Sequence, residues 1–273
     1  MKIKSFIFSI IIMMCLNFIS LPTIATEYKT APRFVQITTN AIGYNWLAKA
    51  IARKVIKKSL NKSAKGEYKV YVDSFSGVDL KRGKFRGLKI SGKNVSIDDE
   101  IFVSKIDMET TAKFNYVKYK DKQLVFKTDV PMKYSVEVSD EDLEKMLASN
   151  KFIKFLSSSI PFVKIDKIKT VIVPDKLRFT SRVKLPFSRP IKCSVSTGLK
   201  VVDGKIIFDN IETSSKKQDV TEFVQGIMNS CNFLTKMNLY IFDNSTTVLE
   251  IKNVKILENK IVIDGNITIK RAE

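Results

Sequence analysis

The sequence predicts an α+β protein dominated by antiparallel strands. Three observations lead there. Apolar and polar residues alternate along most of the chain, turn residues sit between the alternating runs, and helical periodicity is confined to three segments. Strands and helices do not alternate regularly, which argues against a doubly wound parallel sheet.

The first 25 residues have the form of an export signal. Lys2 and Lys4 form a positive start, and Phe6 to Leu21 is apolar except for Ser9, Asn17 and Ser20. Pro22-Thr23-Ile24-Ala25 follows, with small residues placed for a cut after Ala25. The expected organisation is a signal peptide over 1–25 and one elongated domain over 26–273. The alternative is an uncleaved membrane anchor, because the apolar run is long for a signal.

The first helix is expected from about Asn40 to Lys65. Ala48, Ile51, Ala52, Val55 and Ile56 recur at helical spacing and predict its buried stripe. Trp46, Lys49, Arg53, Lys57 and Leu60 share another face. A Trp among cations suits a membrane interface, where the ring sits at head-group level and the cations meet phosphates. The structural alternative is a Trp packed under lysine stems. The second helix starts at Ser139, with Ser139 as cap, Asp142 three residues on, and Leu143, Met146, Leu147 and Ile153 buried. The third starts at Asp219, with Glu222 at the capping-box position and Val220, Phe223, Val224, Ile227, Met228, Cys231 and Leu234 along one face.

The remaining segments read as strands. Tyr68, Val70 and Val72 alternate with Lys69, Tyr71 and Asp73. Similar patterns cover Phe114 to Phe126, Tyr134 to Val138, Leu177 to Val183, Leu199 to Phe208 and Leu249 to Ile267. Turns are expected at Asp121-Lys122, Asp203-Gly204, Glu258-Asn259 and Asp264-Gly265. Gly87 to Val95 echoes Gly198 to Ile206, and both pieces read as strand-turn-strand.

Of the 273 residues, Lys and Arg number 47 and Asp and Glu 28, for a net charge of +19. Lys2 and Lys4 are the only charged residues before Thr26, so the excess belongs to the rest of the chain. Export removes DNA and RNA from the expected partners. Anionic membrane surfaces and acidic envelope polymers are left. With no histidine, Ser-His-Asp and Cys-His nucleophiles and His-ligated metals are excluded. Asp98-Asp99-Glu100 lacks calcium-loop spacing and reads as a hairpin turn. Ser59 and Lys62 match Ser-x-x-Lys without its partner motifs and read as a helix end. The expectation is a protein that is not an enzyme and has no cofactor or metal. Cys193 and Cys231 form an even pair in an oxidising compartment, which suggests a disulfide, with two buried thiols as the alternative.

The segment from Ser74 to Lys93 is the most individual. Phe75, Leu80, Phe85, Leu88 and Ile90 alternate with Lys81, Arg82, Lys84, Arg86 and Lys89. One reading gives it an acyl-facing side and a phosphate-facing side. The other is a bent strand with a solvated basic face.

Together these features resemble the LmeA-type phospholipid-binding proteins of bacterial envelopes. The likeness lies in a signal peptide, a basic first helix and a strand followed by Gly77-Val78-Asp79-Leu80, Gly83-Lys84-Phe85 and Leu88-Lys89-Ile90-Ser91-Gly92. It continues with Pro131-Met132-Lys133-Tyr134 running into Val138 to Leu143, and with Leu199 to Lys205, spanning roughly Asn40 to Lys270. The resemblance implies a tubular lipid-binding-like fold, in which a long, strongly curved antiparallel sheet wraps one long helix beside two shorter ones. It implies a groove for phospholipid or another acylated lipid. The wall positions would be Ile51, Val55, Phe75, Leu80, Phe85, Leu88, Ile90, Phe114, Phe223 and Ile227. Membrane or anion contacts would fall to Trp46, Lys49, Arg53, Lys57, Lys81, Arg82, Lys84 and Arg86. The expected place is the periplasm or cell envelope, and the expected act is lipid binding or transfer. The competing expectation is an interaction module with a filled core that binds an acidic glycopolymer or a protein.

Overall fold

The computed structural model describes residues 28–120, 123–150, 152–154, 164–165, 168–184, 189–213 and 247–272. The third predicted helix, with Phe223, Ile227 and Cys231, lies outside the described residues, as does the Asp121-Lys122 turn.

The chain begins with α1 (Arg33–Ala41) and α2 (Tyr44–Ser63), followed by β1 (Lys65–Asp73), α3 (Gly77–Lys81), β2 (Lys84–Phe85), β3 (Gly87–Ile97) and β4 (Ile101–Thr110). It continues with β5 (Asn115–Lys120), β6 (Gln123–Phe126), β7 (Val130–Ser139) and α4 (Asp140–Leu147). Short strands β8 (Lys164–Ile165) and β9 (Lys169–Val173) precede β10 (Lys176–Lys184), β11 (Ile191–Val202), β12 (Lys205–Thr213), β13 (Thr247–Leu257) and β14 (Lys260–Ile269). The main sheet runs β1-β3-β4-β7-β14-β13. A second runs β12-β11-β10-β8 with β9 also on β10, and a small third runs β2-β5-β6. The strand pairings are antiparallel, so the α+β, mostly antiparallel class stands as predicted.

Local chemistry explains most boundaries. Ser139 accepts from the Asp142 amide, and the Asp142 carboxylate accepts from the Ser139 amide, which closes a capping box at the start of α4. Asp98 and Asp99 adopt positive φ between β3 and β4, so this acidic cluster is the hairpin turn that was expected. Asp203-Gly204 and Asn259 do the same for their hairpins.

Three expectations fail for physical reasons. The first helix is two helices. The left-handed Gly43 (φ 73°) breaks the run, and Asn40 belongs to the last turn of a separate α1. The echo is also lost, because Gly87 to Val95 lies within one continuous strand whereas Gly198 to Ile206 does turn. Asp264-Gly265 is no turn but the middle of β14, where Gly265 faces Tyr134 of β7. A Cβ on Gly265 would lie 2.2 Å from the Glu250 carbonyl oxygen and 2.6 Å from the Tyr134 hydroxyl. The glycine therefore makes room for a neighbouring strand and a ring, as glycine in a strand interior often does.

One core joins α2, α4 and the faces of the sheets. Ile56 and Leu60 of α2 share it with Val72, Ile90, Val138, Leu143, Ile172, Leu177 and Ile261. The other face of the main sheet carries balanced charge. Glu109 bridges Lys89 (3.7 Å) and Lys133 (3.4 Å), and Glu137 bridges Lys105 (3.4 Å) and Lys260 (2.8 Å).

Candidate functional site

The glycine-rich segment does not present two faces. Ser76 caps α3 by accepting from the Asp79 amide, and the helical turn interrupts the strand alternation. Gly83 (φ 78°) then brings the backbone so close to β5 that a Cβ would lie 1.8 Å from the Val117 carbonyl oxygen. Leu80 before that bend and Phe85, Leu88 and Ile90 after it are all buried in the core cluster. Phe75 and Phe114 are half-buried, 5.8 Å apart, with the exposed Arg86 guanidinium 5.1 Å from the Phe75 ring. Lys81 and Arg82 are half-buried. Lys84 points inward, 3% exposed, and donates to the Lys29 carbonyl at 2.6 Å, so it is not a surface cation.

The buried side of α2 is turned toward Leu60 relative to the predicted stripe. Ala48, Ala52, Ile56, Ser59 and Leu60 are buried, Val55 is half-buried and Ile51 is exposed. The face proposed for Trp46, Lys49, Arg53, Lys57 and Leu60 is consequently split. Leu60 is in the core, Lys49 turns to Asp73 at 3.8 Å, and Nε of the half-buried Arg53 is enclosed. Trp46 is 71% exposed, so it is not packed under lysine stems.

A different surface emerges around Trp46. Helix α1 buries no residue. Its half-buried side carries Val35, Gln36, Thr38 and Thr39, whose hydroxyls donate to α1 carbonyls. Its apolar stripe, Phe34, Ile37 and Ala41, faces outward at i, i+3 and i+7. This is amphipathicity turned inside out, since a helix in water normally buries its apolar stripe. Ile42 follows, then Trp46, Leu47 and Ile51 of α2. Phe34 is 75% and Ile42 77% exposed. Farther along α2, Lys54, Lys57, Lys58 and Lys62 are exposed. From Tyr28 to Gly66 the sequence has nine Lys or Arg and no acid, whereas the main sheet pairs its charges. About half of the net positive charge therefore lies in the short segment that carries the exposed apolar residues.

Phe34, Ile37, Ile42 and Leu47 were not singled out in the sequence. The spacing of Phe34, Ile37 and Ala41, inside a stretch without acids, was the available signal. Among the described residues no helix is long and apolar enough to cross a membrane. Cys193 is a buried free thiol, held above the ordinary thiol range by burial, and its expected partner Cys231 lies outside the described residues.

No protein-family model matches the chain, and no curated protein matches it.

Proposed function

We propose that this is an exported, non-catalytic protein of the cell envelope that engages phospholipid at an anionic membrane surface. The observation that carries the reading is the outward apolar stripe of α1, continued by Ile42, Trp46 and Leu47. Such a face has no partner in the described chain. Its flanking lysines complement anionic head groups, and each contributes about 1 kcal/mol near such a surface. The apolar side chains reach the acyl boundary while the lysine heads stay among phosphates. Lipid binding in the LmeA manner, with a curved sheet around α2, belongs to this reading. The contact is then at α1 and α2, because Leu80, Phe85, Leu88 and Ile90 are buried in the core cluster.

The burial of these expected wall residues favours a second reading, an interaction module whose basic surface takes an acidic glycopolymer or a protein. Native mass spectrometry of gently purified protein, with solvent extraction of what dissociates, separates the two. A stoichiometric lipid, or uptake from vesicles containing phosphatidylglycerol, supports the first. A clean apo mass with no vesicle uptake overturns it.

A further inference from the structure

The outward helix α1 is held by an unusual pair of anchors. Asp79 is fully buried, and Lys84 is 3% exposed. Buried charges of this kind are costly unless each finds a partner. Both find one in the same stretch, residues 28–31, which Pro32 joins to α1. The Asp79 carboxylate accepts from the Ala31 amide at 2.7 Å, and its other oxygen accepts from the Ser76 hydroxyl at 2.5 Å. The Lys84 ammonium donates to the Lys29 carbonyl at 2.6 Å and lies 5.0 Å from the Tyr116 ring centre. Tyr28 meets that ring edge-on at 5.9 Å. Ala31 is buried, and Pro32 then leads into α1. At the other end of α1, the Asn45 side chain of α2 accepts from the Gly77 amide, so both ends of α1 are tied to α3 and its neighbours. Between these ties α1 buries nothing of its own.

We propose that Asp79 and Lys84 are positioning residues, forming a socket that grips residues 28–31 and holds α1 with its apolar stripe toward the membrane. This rests on the membrane reading above. The Lys29 carbonyl and the Ala31 amide add direct hydrogen bonds to a buried cation and a buried anion, so the strap and the socket stabilise each other. Without the grip, α1 has no buried side chain to keep its stripe facing outward. In water it would fray or fold the stripe onto nearby surface, because an isolated nine-residue helix is marginal.

The test uses the purified chain with Lys84→Met, which keeps the stem and removes the ammonium. It also uses Ala31→Pro, which removes the gripped amide and leaves Asp79 and Lys84 intact. Lys62→Met, on exposed α2, controls for the loss of one charge. Hydrogen exchange of amides 33–42 should speed up about tenfold or more in both socket variants, the scale of one lost charge-assisted hydrogen bond. Exchange in β3, β4 and β7 should stay unchanged. Affinity for vesicles of mixed phosphatidylglycerol and phosphatidylcholine should fall about tenfold in the socket variants, and only a few-fold in Lys62→Met with unchanged exchange. Unchanged exchange of α1 in both socket variants, or an equal rise throughout the domain, would overturn the proposal. If the wild-type chain ignores the vesicles, the membrane reading is what has failed, and the exchange result still decides the socket.

Discussion

Replacing Phe34 and Ile42 together by alanine should weaken membrane association without unfolding the protein. Phe34 is 75% and Ile42 77% exposed, so neither supports the core. Full burial of such a side chain is worth about 2 kcal/mol, and three quarters of it about 1.5 kcal/mol. Complete insertion of both is therefore worth about 3 kcal/mol, and insertion to half that depth about 1.5 kcal/mol. At 1.4 kcal/mol per factor of ten, the double variant should bind anionic vesicles roughly 10- to 150-fold more weakly. Its stability should stay within about 0.5 kcal/mol of wild type, as for other exposed sites. Phe85→Ala is the contrasting control, because Phe85 is in the core and its truncation should cost about 3–5 kcal/mol of stability. Vesicle co-sedimentation gives the affinities and urea unfolding the stabilities. A double variant that binds within twofold of wild type would refute the assignment of the apolar stripe.

Three further outcomes follow from the fold. Gly265→Ala should destabilise by about 1–3 kcal/mol in urea unfolding, since its Cβ would collide with the Glu250 carbonyl and the Tyr134 hydroxyl; a neutral effect would mean that β14 and β7 are not so closely paired. The Glu137 carboxyl is held below its ordinary range by the hydrogen bond from Lys260, with Lys105 adding to it. A depressed folded pKa stabilises above the unfolded value, and that contribution is lost as pH falls through the folded one. Acid unfolding should therefore begin in the carboxylate range and have a shallower slope in Lys260→Met, whereas parallel curves would dismiss the ion pair. Cys193, buried and with its thiol raised by that burial, should react with a thiol reagent only as fast as the domain opens; immediate stoichiometric labelling under native conditions would contradict its placement.

How far the sequence could be read depended on how local the deciding physics was. The Ser139–Asp142 cap, the Asp203-Gly204 turn and the alternation of Tyr68, Val70 and Val72 are settled by neighbours in sequence, and all three are found as read. Gly265 was misread because its partner ring, Tyr134, is far away in the chain and nearby only across the sheet. Lys84 looked like one more surface cation, but it is buried with the Lys29 carbonyl and the Tyr116 ring as partners that lie far off in sequence. The α2 face was displaced because Leu60 packs into the tertiary core, whereas Ile51 sits beyond its edge. The candidate surface was legible only at Trp46 and Lys57. Its remainder depended on α1 showing its apolar side outward, and periodicity finds a stripe without telling which way it faces.

The chain has one tryptophan, Trp46, on the surface assigned to the membrane. Its fluorescence is the most direct test. On titration with vesicles containing phosphatidylglycerol at low salt, emission should shift to the blue and be quenched by lipids brominated near the head group. Pure phosphatidylcholine should produce little change, and raised salt should weaken the response by screening the lysines. Unchanged emission and no bromine quenching on anionic vesicles would contradict the claim that α1 and α2 meet a membrane.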